Sequence, residues 1–292
     1  MAIYNLGSIN ADLLYRLPHL PEPGETLAAI SLTRGLGGKG ANMSVAAARA
    51  GAHCVHIGGV GADGRWAVER LMEYGVDTRH IAQVDADTGH AIILLDDAGE
   101  NSIVIHPGAN RAVEQTQIAA GLAQAGPDDL FLFQNETSAQ RVGAEAASAK
   151  GMRVAYAAAP FDAEAVQAVL PLLDLLILNA VEAEQLAHAT GMAPEALPVR
   201  DVVVTLGGEG CRWHNTDSGE TETFAAVPVT PVDTTGAGDT FTGYLLAGLD
   251  RGMPMAQAIG LAQQAAALMV TRVGTADVIP DLKEVQDAKL GG

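Results

Sequence analysis

Val232-Asp233-Thr234-Thr235-Gly236-Ala237-Gly238-Asp239-Thr240-Phe241 is the stretch on which the reading of this chain turns. The segment before it, Thr223 to Pro231, reads as a strand ending in prolines, and Phe241 to Leu249 carries helical periodicity. Gly236, Ala237 and Gly238 therefore sit at a loop-to-helix junction. At such a junction the first N–H groups of a helix lack partners and face the positive end of its dipole. Missing side chains let an anion, phosphate above all, come close to the backbone. Asp239 at the same place repels phosphate, and two explanations stand side by side. It caps the helix, which Asp does well, or it takes a proton from an alcohol that attacks the phosphate.

Outward from this stretch, short apolar strands alternate with alanine-rich helices. Strands are expected at Ile3–Ser8, His53–Gly58, Leu130–Gln134, Arg153–Ala157, Leu175–Leu178 and Val202–Leu206. Helices fit at Ala41–Ala50, Arg65–Tyr74, Gln115–Ala125, Ala139–Ala149, Ala163–Leu170 and Val181–Ala189. Alternation on this scale implies an α/β fold, a mostly parallel sheet covered on both faces with right-handed crossovers. Two regions, 11–36 and 88–106, instead alternate with period two and carry no helix. They read either as edge hairpins or as a small separate sheet that acts as a lid or a dimer surface. No repeat, low-complexity tract or linker divides the chain, so a single domain over 1–292 with a small excursion is expected.

Composition narrows the partners. With 35 acidic against 17 basic residues the net charge is −18, which argues against nucleic acid or an anionic membrane. No apolar run approaches the ~18 residues of a membrane span. Cys54 and Cys211 are the only cysteines and lie far apart, and with no signal-like start at the N-terminus a cytoplasmic protein is expected.

Other segments offer polar groups. Gly37-Gly38-Lys39-Gly40-Ala41-Asn42 opens the first long helix with flexible backbone, an ammonium and a carboxamide, a set able to bond a polyol or to make a plain turn. Within it Gly35-x-Gly37-x-x-Gly40 matches the dinucleotide fingerprint only in form, because a lid-like strand precedes it, and Gly40 stands where a P-loop needs Ser or Thr. Asn10 and Asp12 share one side of an extended segment and suit adjacent sugar hydroxyls or a turn. Asn179 and Glu182 read as a helix cap, and a hydrated Mg²⁺ would use the same groups. Thr205-Leu206-Gly207-Gly208 ends a strand as a hairpin turn or as a nucleotide contact, and Glu136 closes over a hydroxyl or starts a helix. His53 and His56 flank Cys54 without metal-ligand spacing and read as partly buried structural residues.

Together and in this order, these segments resemble the ribokinase family of carbohydrate kinases, the phosphofructokinase-B superfamily. Its two signatures are Gly37–Asn42 and Asp233–Phe241, and the resemblance covers essentially the whole chain. Gly7–Asp12, Gly108-Ala109-Asn110 and Val270-Thr271-Arg272 are more similar to the ribokinase branch than to adenosine kinases or fructokinases. The resemblance implies a three-layer α/β/α sandwich with a small β lid that forms a homodimer clasp. It implies transfer of the ATP γ-phosphoryl group to the primary hydroxyl of a pentose, D-ribose above all, with Mg²⁺. Asn10, Asp12, Gly38, Lys39, Asn42 and Glu136 would then hold the sugar, and Asp239 would be the base, beside an anion hole from the N–H groups of Gly236, Ala237 and Gly238. Asn179 and Glu182 would lie near phosphate and Mg²⁺, Thr205 and Gly207 near the nucleotide, and Gln263 beside adenine. A K⁺ site would use Asp233 and the backbones of Thr235, Met269 and Gly274, but Val278 stands where the ribokinase branch has a serine ligand. Rival readings are a nucleoside or fructose-type kinase with the same machinery, a non-catalytic sugar-binding protein, and, more remotely, a nicotinamide-dependent oxidoreductase.

Overall fold

The computed structural model describes residues 1–288. From the N-terminus the elements are β1 (Ile3–Leu6), β2 (Asn10–Arg16), β3 (Ser31–Gly37), α1 (Lys39–Arg49), β4 (Cys54–Val60), α2 (Arg65–Glu73) and β5 (Asp77–Gln83). Next come β6 (Gly89–Leu95), β7 (Asn101–His106), α3 (Gln115–Gly121), β8 (Leu130–Phe133), α4 (Gln140–Ala149), β9 (Arg153–Ala157) and α5 (Ala163–Val169). The C-terminal part holds β10 (Leu175–Asn179), α6 (Ala180–Thr190), β11 (Asp201–Thr205), β12 (Cys211–Asn215), β13 (Glu220–Phe224), α7 (Ala237–Asp250), α8 (Met255–Met269) and α9 (Leu282–Asp287).

Nine strands form the central sheet, in the order β13-β12-β11-β10-β9-β8-β1-β4-β5. Every pair from β11 to β5 is parallel, and the two remaining pairs at one edge, β11–β12 and β12–β13, are antiparallel. The parallel strands read as near-continuous apolar runs because both faces are covered. Along β8, Leu130 and Leu132 join the core beneath α1, α7 and α8, while Phe131 and Phe133 join the core on the opposite face with residues of α4, α5 and α6. A strand's side chains alternate between faces, so one run of four residues serves two cores. Truncating the fully buried Phe131 to alanine should cost about 3–5 kcal/mol.

The chain runs outward from β1 to β4 and β5 on one side, then returns to β8 on the other. Strand order therefore reverses between β1 and β8, and a crevice opens beyond their carboxyl ends, where α/β sheets place ligands. Gly7 to Asn10 and Gln134 to Glu136 emerge there.

The two period-two regions form a second, four-stranded sheet in the order β3-β2-β6-β7. Its strands begin and end within a few residues of the expected bounds. Three further strands had not been anticipated: β5, β12 and most of β13 are half-exposed and polar, so they lack an apolar run to mark them. The expected strand Thr223–Pro231 is corrected: pairing ends at Phe224, and Pro228 and Pro231 lie in irregular chain, since proline cannot donate to a ladder. His53 is also corrected, because its side chain is 59% exposed and lies 3.6 Å from Asp77. His56 is fully buried, bonded to Ser44 Oγ at 2.8 Å and to the Gly7 carbonyl at 3.0 Å, and burial lowers its pKa to about 4.

Candidate functional site

One end of the crevice is made of backbone. Helix α7 starts at Ala237 with no side-chain cap, and its N-cap Gly236 has φ 76°, a conformation side chains resist. A Cβ there would also come within 2.8 Å of Met269 Cε. The Ala237 N–H donates to the Thr234 carbonyl at 3.2 Å. The N–H groups of Gly236 and Gly238 have no protein acceptor among the described residues. Nothing would lie within 4 Å of a Cβ on Gly238, so an anion has open access.

Asp239 is the third residue of α7 and is buried. Its carboxylate accepts a hydrogen bond from Asn42 Nδ2 at 2.9 Å. Burial pushes its pKa up, and the Lys39 ammonium and the Asn42 amide pull it back. The outcome is a carboxylate more basic than an exposed one but still held by donors.

The other end is made of side chains from distant elements. Asp12 comes from β2, Lys39 and Asn42 from α1, and Glu136 from the loop after β8. Gly37 lets β3 pass against Asp12, since a Cβ there would fall 2.0 Å from Asp12 Oδ2. Gly7 and Gly40 let α1 approach the turn after β1, where a Cβ on Gly40 would fall 2.3 Å from the Ser8 nitrogen. Glu136 Oε2 accepts the Lys39 backbone N–H at 3.0 Å and the Ser8 hydroxyl. Asn110 Nδ2 donates to Asn10 Oδ1 at 2.8 Å. Burial first, then the charges of Glu136 and Asp239, raise the Asp12 pKa to about 7. The same carboxylates raise the pKa of Lys39, Asp239 most of all. Buried Asn42 Oδ1 has no partner, an acceptor left beside Asp239 for a hydroxyl group.

Behind the glycines lies a cavity of about 400 Å³, lined by Thr205, Gly207, Val227, Pro228, Gly238 and Gln263 among others. Gln263 Nε2 reaches the carbonyls of Phe224 and Ala225 at 3.3 and 3.2 Å, holding the irregular chain that forms one wall. Asn179 and Glu182 form a complete capping box, with both bonds at 2.8 Å. They do not line the cavity, yet Glu182 faces the site closely enough to raise the Lys39 pKa.

Asp233 lies behind the anion hole. Its Oδ1 accepts the Thr235 N–H at 2.9 Å and its Oδ2 the Gly274 N–H at 3.1 Å. The Met269 carbonyl accepts the Arg272 N–H at 2.9 Å. Each of these three oxygens accepts one N–H and keeps a further lone pair, but Val278 supplies an alkyl chain against Gly274 where the expected K⁺ set would need an oxygen. The set is therefore one ligand short for a monovalent cation.

A family of known proteins matches the chain over residues 3–282, described as the pfkB family of carbohydrate kinases. The chain belongs to this family. Among its members, the ribokinase of Haemophilus influenzae is 35% identical, covering 96% of this chain and 95% of the relative. The ribokinase of Lactococcus lactis is 34% identical over 98% of this chain and 95% of its own length. The structure of the ribokinase of Thermotoga maritima superposes with a TM-score of 0.88 at 30% identity, covering 98% of each chain. That of Arabidopsis thaliana, complexed with ribose and ATP, superposes with a TM-score of 0.86 at 28% identity over 98% of each chain. A nucleoside kinase of Burkholderia thailandensis, solved with inosine, also matches at a TM-score of 0.83, but at 22% identity that likeness concerns the fold alone.

Sequence reasoning had not singled out three parts of the site. Ser8 holds Glu136, the irregular segment after Phe224 forms the cavity wall, and Thr275 donates to the Leu36 carbonyl at 2.9 Å. The prolines at 228 and 231 were the available signal for the second. Ser8 and Thr275 carried none, since each acts on a residue far away in sequence.

Proposed function

We propose that this chain transfers the γ-phosphoryl group of ATP to the primary hydroxyl of a pentose, D-ribose being the acceptor favoured by its relatives. The observation that carries the reading is the pairing of buried Asp239 with Asn42 directly beside the open N–H groups of the α7 start. The acceptor hydroxyl lies between Asp239 and the phosphate. As its oxygen bonds to phosphorus, its proton passes to Asp239, and the bond from phosphorus to the bridging oxygen breaks to release ADP. The free N–H groups at Gly236 and Gly238 take up charge on the transferred oxygens. Asn10, Asp12, Gly38, Lys39, Asn42 and Glu136 hold the sugar, and Thr205, Gly207 and Gln263 flank the nucleotide.

No cluster of three or more His, Cys, Asp or Glu able to hold a metal exists among the described residues. That suits Mg²⁺ carried by triphosphate and water, with Glu182 and Asn179 as nearby outer partners. Bound there, the ion would neutralise phosphate charge.

The whole chain acts as one kinase domain, with the small sheet as a lid over the sugar end. Leu32, Ile103, Val104 and Ile105 on that sheet are more than half exposed. An apolar patch of this kind supports a homodimer through the lid. The two cysteines are free and buried, in keeping with a cytoplasmic setting. The deciding assay is ADP release with Mg-ATP across ribose, deoxyribose, fructose and several nucleosides. Preference for ribose is the expected result; preference for a nucleoside or hexose would transfer the mechanism to another acceptor, and binding without ADP release would make the chain a sugar-binding protein.

A further inference from the structure

Between the two ends of the site runs a short chain of hydrogen bonds. The Thr275 hydroxyl donates to the carbonyl of Leu36 at 2.9 Å, the next-to-last residue of lid strand β3. Leu36 immediately precedes Gly37, which packs on the Asp12 carboxylate, and Gly38-Lys39, which opens α1. Thr275 itself lies beside Asp12. On its other side, the neighbouring Gly274 N–H reaches Asp233 Oδ2 at 3.1 Å, and Asp233 Oδ1 takes the Thr235 N–H at 2.9 Å. Thr235 is covalently joined to Gly236, the left-handed residue that aims the α7 start. The backbone of Val232 and Asp233 is tied again to the same loop through the Val270 carbonyl, at 2.7 and 3.1 Å.

We infer that Thr275 is a positioning residue that couples closure of the lid over the sugar to the set of the phosphate-binding turn. The inference rests on the kinase reading above. Movement of β3 toward a bound sugar pulls the Leu36 carbonyl, and the 274–275 pair transmits that pull through Asp233 to Thr235 and Gly236. The link is direct protein-to-protein bonding, running through the place where Val278 offers no oxygen to a cation. Two ligands that favour the same state of one element strengthen each other's binding by the same factor.

The test is a linkage measurement by titration calorimetry. A non-hydrolysable ATP analogue with Mg²⁺ is titrated into wild type, T275V and T275S, each with and without saturating ribose, alongside melting temperature and steady-state kinetics. In wild type, ribose should tighten nucleotide binding by at least fivefold, within the usual span of site-to-site coupling. T275V keeps the shape and loses the donor, and its coupling factor should fall toward one by roughly fivefold, the scale of one net hydrogen bond. T275S should restore it. Loss of fold alone would weaken both affinities and lower the melting temperature of T275V without changing their ratio, and that result overturns the inference. So does wild-type protein that phosphorylates ribose with no linkage, or T275V with full linkage. Wild-type protein that binds neither ribose nor the nucleotide analogue would instead overturn the kinase reading.

Discussion

The two ends of the crevice are built on different principles. The end proposed to hold phosphate is continuous: Asp233 to Asp239 supply its glycines, its free N–H groups and the carboxylate beside them within seven consecutive residues. The end proposed to hold the sugar is scattered: Asp12, Lys39, Asn42 and Glu136 come from β2, α1 and the loop after β8, and meet only because strand order reverses between β1 and β8. Backbone donors at a helix start need only local geometry, whereas side-chain acceptors for a polyol must converge from several directions. The difference predicts that damage to the phosphate end appears in turnover, and damage to the sugar end in affinity and its pH dependence.

Asp239→Asn should show the largest effect. It removes the proton acceptor while keeping the shape, and kcat should fall by roughly 10²–10⁴ with the ribose dissociation constant within a few-fold of wild type. Calorimetry beside a coupled ADP assay would separate the two, and near-normal turnover would remove Asp239 from the base role. Gly238→Val follows. Outside its own turn of helix no protein atom would lie within 4 Å of the added Cβ, so thermal stability should hold while the side chain fills the anion's place. Turnover should drop by about 10²–10³, the scale of a lost oxyanion donor. A fall in melting temperature with normal ATP turnover would place the phosphate elsewhere.

Smaller effects belong to the sugar end. The folded pKa of Asp12 is raised to about 7, above its unfolded value. A raised carboxyl pKa means the fold favours the protonated form, so that contribution is complete at low pH and is lost as pH rises through about 7. Buried neutral His56 acts in the opposite sense over the same range, losing stability as pH falls below about 6.5, so the Asp12 contribution is read as a difference. From about pH 5.5 to about pH 8 the melting temperature of unliganded wild type should fall relative to that of Asp12→Asn. Sugar hydroxyls donate best to the ionised carboxylate, so the ribose KM should rise several-fold as pH falls below about 7, and Asp12→Asn should lose that dependence. A wild-type KM flat across this range would disprove the assignment. The smallest effect concerns K⁺. Wild-type turnover should barely change when K⁺ replaces a bulky organic cation, and Val278→Ser should gain a response, because it restores an oxygen beside Gly274. Strong activation of wild type would show that the Asp233 loop rearranges to admit the ion.

How much of this was legible in the sequence follows the same division. The buried parallel strands and the α7 start could be read directly, as apolar runs and as glycines before a carboxylate. Strands β5, β12 and β13, at or next to the sheet edges, could not, because a half-exposed polar strand resembles a loop. The segment after Phe224 reads as strand in the sequence because it is apolar, but its apolar residues line a cavity instead of pairing in the sheet. Individual sugar-end residues were visible as candidates, but each had an equally good local explanation, and Asn179 and Glu182 indeed form a full capping box.

By itself the sequence determined the alternating α/β architecture, the two period-two strand regions and the glycine-rich helix start, because each depends on periodicity or on residues within one turn of one another. Only the tertiary structure decided that Asn42 reaches Asp239, that Ser8 and the Lys39 backbone hold Glu136, and that the Thr275 hydroxyl reaches the Leu36 carbonyl of β3. Those bonds span from 97 to 239 positions along the chain. A hydrogen bond is specified by the positions and directions of two groups in space, and over such separations only the packed sheet and its strand order determine them.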